Sequence, residues 1–223
     1  MRSNKQLNPR FITSQNWTFE RGPGGELKNL IPTKEGSDNP YISFSHSGNE
    51  QNRMFLNHQG TRFSNVSGIS GADSILDGRS FIHWDFNRDG KPDLAVVNAN
   101  KKLLQIFANQ TPHQNHFIAF RLQGASQKAK PSKNHSNRDA IGAAITLRLG
   151  DQSLLRVLSC GEGFASQNSR TILIGIGQNT KIDSAKILWP SGKTTEMSDL
   201  SHRTLIFANE SDSGIRVENY YLD

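Results

Sequence analysis

Phe117-Ile118-Ala119-Phe120-Arg121-Leu122 and, further on, Ala144-Ile145-Thr146-Leu147-Arg148-Leu149 are the stretches that set the fold class. In the second, Ile145, Leu147 and Leu149 alternate with Thr146 and Arg148. In the first, Ile118, Phe120 and Leu122 recur at the same period of two. Successive side chains of a strand point to opposite faces, so this spacing gives one apolar face, whereas a helix needs apolar residues three and four apart. Working downstream, Leu154–Ser159, Thr171–Ile176, Ile182–Trp189, Lys193–Met197 and Thr204–Phe207 read as five more strands. Gly150-Asp151, Gly161-Glu162-Gly163 and Pro190-Ser191-Gly192 are turn signals between several of them. No segment of ten or more residues carries a helical apolar stripe. Many short strands divided by turns predict an all-β chain.

Upstream the texture changes at Thr111-Pro112-His113-Gln114-Asn115. Arg53–Asn57 and Thr61–Val66 flank His58-Gln59-Gly60 and predict a hairpin. Phe81–Asp85 and Asp93–Asn98 predict a second pair around a polar loop, and Leu103–Phe107 a further short strand. Structure is expected to begin at Tyr41–Ser45, because the residues before it are polar and broken at Gly22-Pro23-Gly24-Gly25 and Asp38-Asn39-Pro40. The expected organisation is a poorly patterned segment over 1–40, a repeat region over 41–111, a second β domain over 112–210 and a C-terminal tail over 211–223.

Composition narrows the function classes. The chain has 223 residues, of which 34% are apolar, with a mean hydropathy of −0.60. Its apolar runs fall far short of the ~20 residues a membrane-spanning helix needs. A single cysteine, Cys160, excludes a disulfide framework and a cysteine-based zinc cluster. The 26 Lys and Arg exceed the 20 Asp and Glu, for a net charge of +6. Those cations are scattered, and the one sequence cluster (Lys128, Lys130, Lys133, Arg138) lacks interleaved aromatic residues for base stacking, so no nucleic-acid partner is expected. The first residues show no apolar core of a secretory signal.

Asp85-Phe86-Asn87-Arg88-Asp89-Gly90-Lys91-Pro92-Asp93 is the sharpest chemical signal. Side-chain oxygens recur at Asp85, Asn87, Asp89 and Asp93, and the backbone carbonyl of Lys91 follows the turn that Gly90 permits. Ca²⁺ takes six to eight oxygen ligands in flexible geometry, and three carboxylates this close repel one another without a cation. The expected metal is therefore a structural Ca²⁺ with no open catalytic position. An EF-hand is excluded, since the twelfth position is Val96 rather than a bidentate glutamate, and strands flank the loop. An Asp/Asn/Gly-rich turn without an ion is the alternative.

The other polar groups read as structural. No G-x-S-x-G elbow surrounds Ser166, and the seven histidines are dispersed. His83 reads as an ordinary strand residue near a turn, and Cys160 as a semi-buried small residue at a strand end. Ser166-Gln167-Asn168-Ser169-Arg170 is expected to satisfy backbone groups in a long connection, with glycan or peptide binding as the alternative. Arg138-Asp139 suggests an ion pair anchoring its loop. Trp189 is expected to end a strand on the core face, with Pro190-Ser191-Gly192 turning the chain back.

Several of these stretches, in order, resemble known families. Gly48–Asn57, Phe63–Ser67 and the Asp85–Asp93 loop resemble an FG-GAP/VCBS repeat of the integrin-like propellers, which carry calcium in such a hairpin loop. Ser136–Ala143, Gly161–Arg170, Ile174–Gly177, Ile182–Ser184 and Trp189–Gly192 resemble the ASPIC/UnbV domain of CRTAC-type proteins, homologues of cartilage acidic protein. The resemblance implies partial propeller-type blades with a calcium hairpin loop, followed by a β-sandwich or barrel-like ASPIC/UnbV domain. Closed propellers need four to eight blades of roughly 40–50 residues, so residues 41–111 hold one blade and part of another. The chain is then the C-terminal part of a longer protein or a minimal form. By the same resemblance its address is extracellular or in the cell envelope, and its role a non-enzymatic, calcium-binding adhesion module with a protein or glycan ligand. The alternative is an enzyme or accessory protein of natural-product biosynthesis built on the same scaffold.

Overall fold

The computed structural model describes residues 20–21, 27–28, 50–98, 103–112, 114–127, 133–211 and 214–221. The strand expected at Tyr41–Ser45, most of the 1–40 segment, and Lys128 and Lys130 lie outside the described residues. The chain is mostly β, in several small sheets. In chain order the first strands are β1 (Glu20–Arg21), β2 (Leu27–Lys28), β3 (Phe55–His58) and β4 (Arg62–Asn65). A one-turn helix, α1 (Ser67–Ser70), precedes β5 (Gly78–Trp84), β6 (Asp93–Asn98) and β7 (Leu104–Phe107). Then come β8 (His116–Gln123), β9 (Ala144–Leu149), β10 (Gln152–Val157) and β11 (Thr171–Gly177). The last four are β12 (Lys181–Leu188), β13 (Thr194–Ser201), β14 (Thr204–Asn209) and β15 (Ile215–Asn219). No helix of the described residues is long and apolar enough to cross a membrane.

The described residues fall into two compact units: one holds those within 1–79 and 96–105, the other those within 80–95 and 106–223. The Asp85–Asp93 loop belongs to the second of these, with the C-terminal residues. In the first unit β3 and β4 form the expected hairpin, Phe55 opposite Asn65 and His58 opposite Arg62. Asn57 Oδ1 accepts the Gly60 amide at 2.7 Å across the turn. β5, β6 and β7 form a three-stranded sheet. A propeller blade has four strands in one sheet, and among the described residues these strands make separate sheets of two and three.

The second unit is built on two four-stranded sheets, ordered β10-β9-β12-β13 and β11-β8-β14-β15. Both contribute to one core. Ile118, Phe120 and Leu122 of β8 meet Ile145, Leu147 and Leu149 of β9, with Ile174, Ile182, Ile187, Trp189 and Ile206 around them. The six residues of β8 and β9 are those that period two places inward. Burying a side chain of this size stabilises by about 1.5–3 kcal/mol. Each sheet keeps two edges, so neither closes into a barrel, and no closed propeller forms among the described residues. The barrel-like expectation is corrected accordingly.

Three details exceed the alternation rule. β8 is buried on both faces, since Phe117 and Ala119 pack with Leu205 and Tyr220 in a second cluster. The unbroken apolar run Phe117–Phe120 reflects that position, as for a fully covered strand. β14 pairs with β8 in parallel, Leu205 opposite Ala119, because the chain crosses through β9–β13 between them. Residues 215–219, within the expected tail, form β15 against β14. Trp189 closes β12 as predicted, its amide bonding the Lys193 carbonyl at 2.9 Å while Gly192 turns at φ +89°.

Candidate functional site

Asp85 follows β5 and Asp93 opens β6, so two neighbouring strands of one sheet deliver the ends of the loop to one place. The chain curls between them through positive φ at Arg88 (+56°) and Gly90 (+83°). Each acidic side chain turns inward onto backbone amides. Asp85 accepts the amides of Asp89 at 3.1 Å and Gly90 at 2.7 Å. Asp93 accepts those of Phe86 at 3.0 Å and Asn109 at 2.7 Å. Asp89 accepts the Lys91 amide at 2.9 Å, and its other oxygen lies 3.7 Å from Lys91 Nζ. Asn87 Nδ2 donates to Asp89 at 3.2 Å.

Asp93 is 0% exposed and Asp85 9%. Among the described residues neither has an ion-pair partner. Burial pushes the Asp85 carboxyl above its ordinary range, against the Gly90 amide, the Tyr220 hydroxyl and the Asp89 amide, which hold it down. Burial, then the charge of Asp85, pushes the Tyr220 phenol upward. The all-oxygen donor set suits a hard cation. Among the described residues, however, no group of three or more His, Cys, Asp and Glu side chains stands arranged as a metal cluster.

The loop is docked on the outer face of the β11-β8-β14-β15 sheet. A Cβ at Gly90 would lie 2.0 Å from a ring carbon of Phe117, so only glycine allows this approach. The Phe117 ring meets Tyr220 edge-on at 5.0 Å, and Tyr220 reaches back to Asp85. Sequence reading missed Tyr220 because it falls in an expected tail.

Beside the loop lies a cleft of about 530 Å³ whose lining includes His83, Trp84, Arg88, Glu162 and Tyr220. Ser159 and Asn168 donate to Glu162, and these bonds, the Ser159 one foremost, hold its carboxyl below the ordinary range. The Ser166–Arg170 segment serves backbone groups, as expected. Asn168 Oδ1 accepts the His83 amide at 2.9 Å, Gln167 Oε1 the Gly161 amide at 3.2 Å, and Ser169 Oγ the Thr171 amide at 3.1 Å. Asp139 pairs with Arg138 at 3.1 Å and also with Arg170. Cys160 is exposed rather than semi-buried, since β10 ends at Val157 before it.

A second cluster has no counterpart in the sequence reading. Glu210, just past β14, accepts the amides of Ala125 at 2.8 Å and Ser136 at 2.7 Å, the Ser136 hydroxyl at 2.9 Å, and the Ser191 hydroxyl. Burial works against the charge, but these four donors bring its pKa down to about 2. One carboxylate, just past β14, thus ties down the β8–β9 and β12–β13 connections. A lone glutamate between Asn209 and Ser211 gives no periodic or spacing signal.

The second unit is thus a two-sheet β domain carrying an acidic hairpin loop on its outer face. Its residues 133–214 match the family model described as ASPIC and UnbV, so the chain contains an ASPIC/UnbV domain. No curated protein matches the chain. The matched segment includes Asp139, Trp189, Ser191 and Glu210. It omits β8, a central strand of one sheet, and the Asp85–Asp93 loop.

Proposed function

We propose that the chain is a non-enzymatic, calcium-stabilised binding module of the CRTAC-like, ASPIC/UnbV type. In this reading an FG-GAP-like repeat region over 41–111 supplies the calcium loop, and the module works outside the cell or in its envelope on a protein or glycan ligand. One observation carries the calcium reading: Asp85 and Asp93 are buried carboxylates without a cationic partner among the described residues. Buried charges are ordinarily paired or bound to metal. Each amide-bonded oxygen retains a second lone pair, so Asp85 and Asp93 can keep their backbone bonds while ligating. Asn87, Asp89 and the Lys91 carbonyl complete the proposed oxygen set.

Melting with EDTA and with excess Ca²⁺ tests this. A ligand at a hundred times its Kd stabilises by about 2.7 kcal/mol, a rise of roughly 5–10 °C for a chain of this size. Asp89→Ala is expected to abolish the rise. Identical melting curves with chelator and with Ca²⁺ would sink the proposal.

A second reading, an enzyme or accessory protein of natural-product biosynthesis, draws on the cleft that places His83 and Glu162 beside Trp84. A small aromatic ligand in that cleft is expected to quench Trp84 fluorescence, and Trp84→Phe to remove the quench. Failure of aromatic ligands to change the emission counts against it.

A further inference from the structure

One rung of the β11-β8-β14-β15 sheet reads Thr171, Arg121, Phe207, Arg216, each directly opposite the next. Paired residues share a face, and their neighbours Phe120, Leu122, Ile206 and Ala208 belong to the core on the other side. Arg121, Phe207 and Arg216 therefore point outward together. Arg138 and Arg170 stand at the same place, and all four guanidiniums line a cleft of about 750 Å³. Two carboxylates answer them. Asp139 takes Arg138 and Arg170, and Glu218 takes Arg216 at 2.8 Å.

Arg121 is the telling member. Its single hydrogen bond among the described residues is a 3.4 Å contact to Thr171 Oγ1, although a guanidinium carries five donors. Burial first, then the neighbouring Arg170, pushes it below the ordinary arginine value. Asp139 offsets part of that charge from its place on Arg170, yet most of the Arg121 donors remain unspent within the described residues and can take a further anion. Arg216 stacks on Phe207 with its guanidinium carbon 4.2 Å from the ring centre, which fixes its fork at the other side. Strands lie ~4.8 Å apart, so Arg121 and Arg216, two strands apart, are separated by roughly 10 Å along the rung.

We infer that this cleft binds a ligand bearing at least two oxyanion groups spaced to reach Arg121 and Arg216. Arg138 and Arg170 add charge at one end, and the free part of the Phe207 ring offers an apolar floor. Planar guanidinium forks suit carboxylate, sulfate and phosphate alike. This gives the proposed binding role a ligand class, and the two fail separately, since the calcium reading is tested by melting and this one by anion titration.

The experiment titrates the full chain, by calorimetry at fixed salt, with three probes. A heparin-derived tetrasaccharide presents sulfates, inositol hexakisphosphate presents phosphates, and a hyaluronan tetrasaccharide presents carboxylates alone. Saturable binding of at least one probe is expected, and the probe that binds tightest identifies the oxyanion. Arg121→Gln and Arg216→Gln, each checked for an unchanged circular dichroism spectrum, are expected to weaken it about tenfold apiece. Because the chain is basic overall, Lys181→Gln/Lys193→Gln serves as the control that removes charge from the two ends of the β12–β13 hairpin, on the other sheet. It is expected to change affinity less than about twofold. The inference is overturned if no probe saturates, or if the lysine control weakens binding as much as the arginine variants. Arg216 lies on the exposed edge strand, so its variant reports even where Arg121→Gln fails to fold.

Discussion

Glu210→Ala is expected to lower the melting temperature by roughly 5–10 °C at pH 7, as read by circular dichroism. The carboxylate accepts from Ala125, from both donors of Ser136 and from Ser191. Ser136 is almost completely buried, so water cannot take over its amide without opening the loop. Hydrogen bonds to a charged group contribute about 1.5–3 kcal/mol each, and stranded buried donors cost about 1–3 kcal/mol. Partial exposure of Glu210 screens some of this, which leaves about 2–3 kcal/mol in total. The pH dependence has a definite sign. The folded pKa of about 2 lies below the ordinary 4.5, so the stabilisation is complete above pH 4.5 and drains away as the pH falls toward 2. Glu210→Gln keeps an acceptor oxygen but cannot titrate. Its stability is therefore expected to fall less than that of the parent between those pH values. Parallel acid-denaturation curves for the two would show that Glu210 does not hold the loops.

Gly90→Ala is expected to destabilise by about 3 kcal/mol. Positive φ costs an alanine about 1–2 kcal/mol, and the new methyl would sit 2.0 Å from one Phe117 ring carbon and 2.4 Å from the next. The ring cannot step aside freely, because it is buried and meets Tyr220 edge-on. The loop must lift instead, and with it goes the 2.7 Å bond from the Gly90 amide to Asp85. A double-mutant cycle separates the clash from the backbone strain. Trimming the ring in Phe117→Ala makes room for the methyl, so the double variant is expected to be less destabilised than the sum of the singles by more than 1 kcal/mol. Additive losses would mean that the loop does not rest on the ring.

The two variants mark how far local reading reaches. Gly90 was legible as a turn residue because the acidic pattern around it demands a tight bend. That the bend also rests on Phe117 was not, since the two are joined through no periodicity in the chain. The place of Trp189 is legible because a strand running into Trp-Pro-Ser-Gly carries its own geometry. The exposure of Cys160 is not legible, because it depends on where β10 stops rather than on the residue's own chemistry. The same holds for β15: a short, charged strand, Ile-Arg-Val-Glu-Asn, shows its pairing only against β14.

Alternation and turn chemistry were enough to establish that this is a β protein with core positions at Ile118, Phe120, Ile145 and Leu147, because strand faces follow from nearest neighbours along the chain. Turn chemistry also singled out Asp85–Asp93 as the acidic loop, and the ordered motifs from Ser136 to Gly192 carried the resemblance to the ASPIC/UnbV domain. Three-dimensional packing alone brought that loop onto Phe117 and Tyr220, tied the β8–β9 and β12–β13 connections to Glu210, and lined up Arg121, Phe207 and Arg216. Each of those arrangements joins residues far apart in sequence through cross-strand register and loop docking. Register is set by which strands pair, and the parallel β8–β14 pairing leaves no mark in either strand alone.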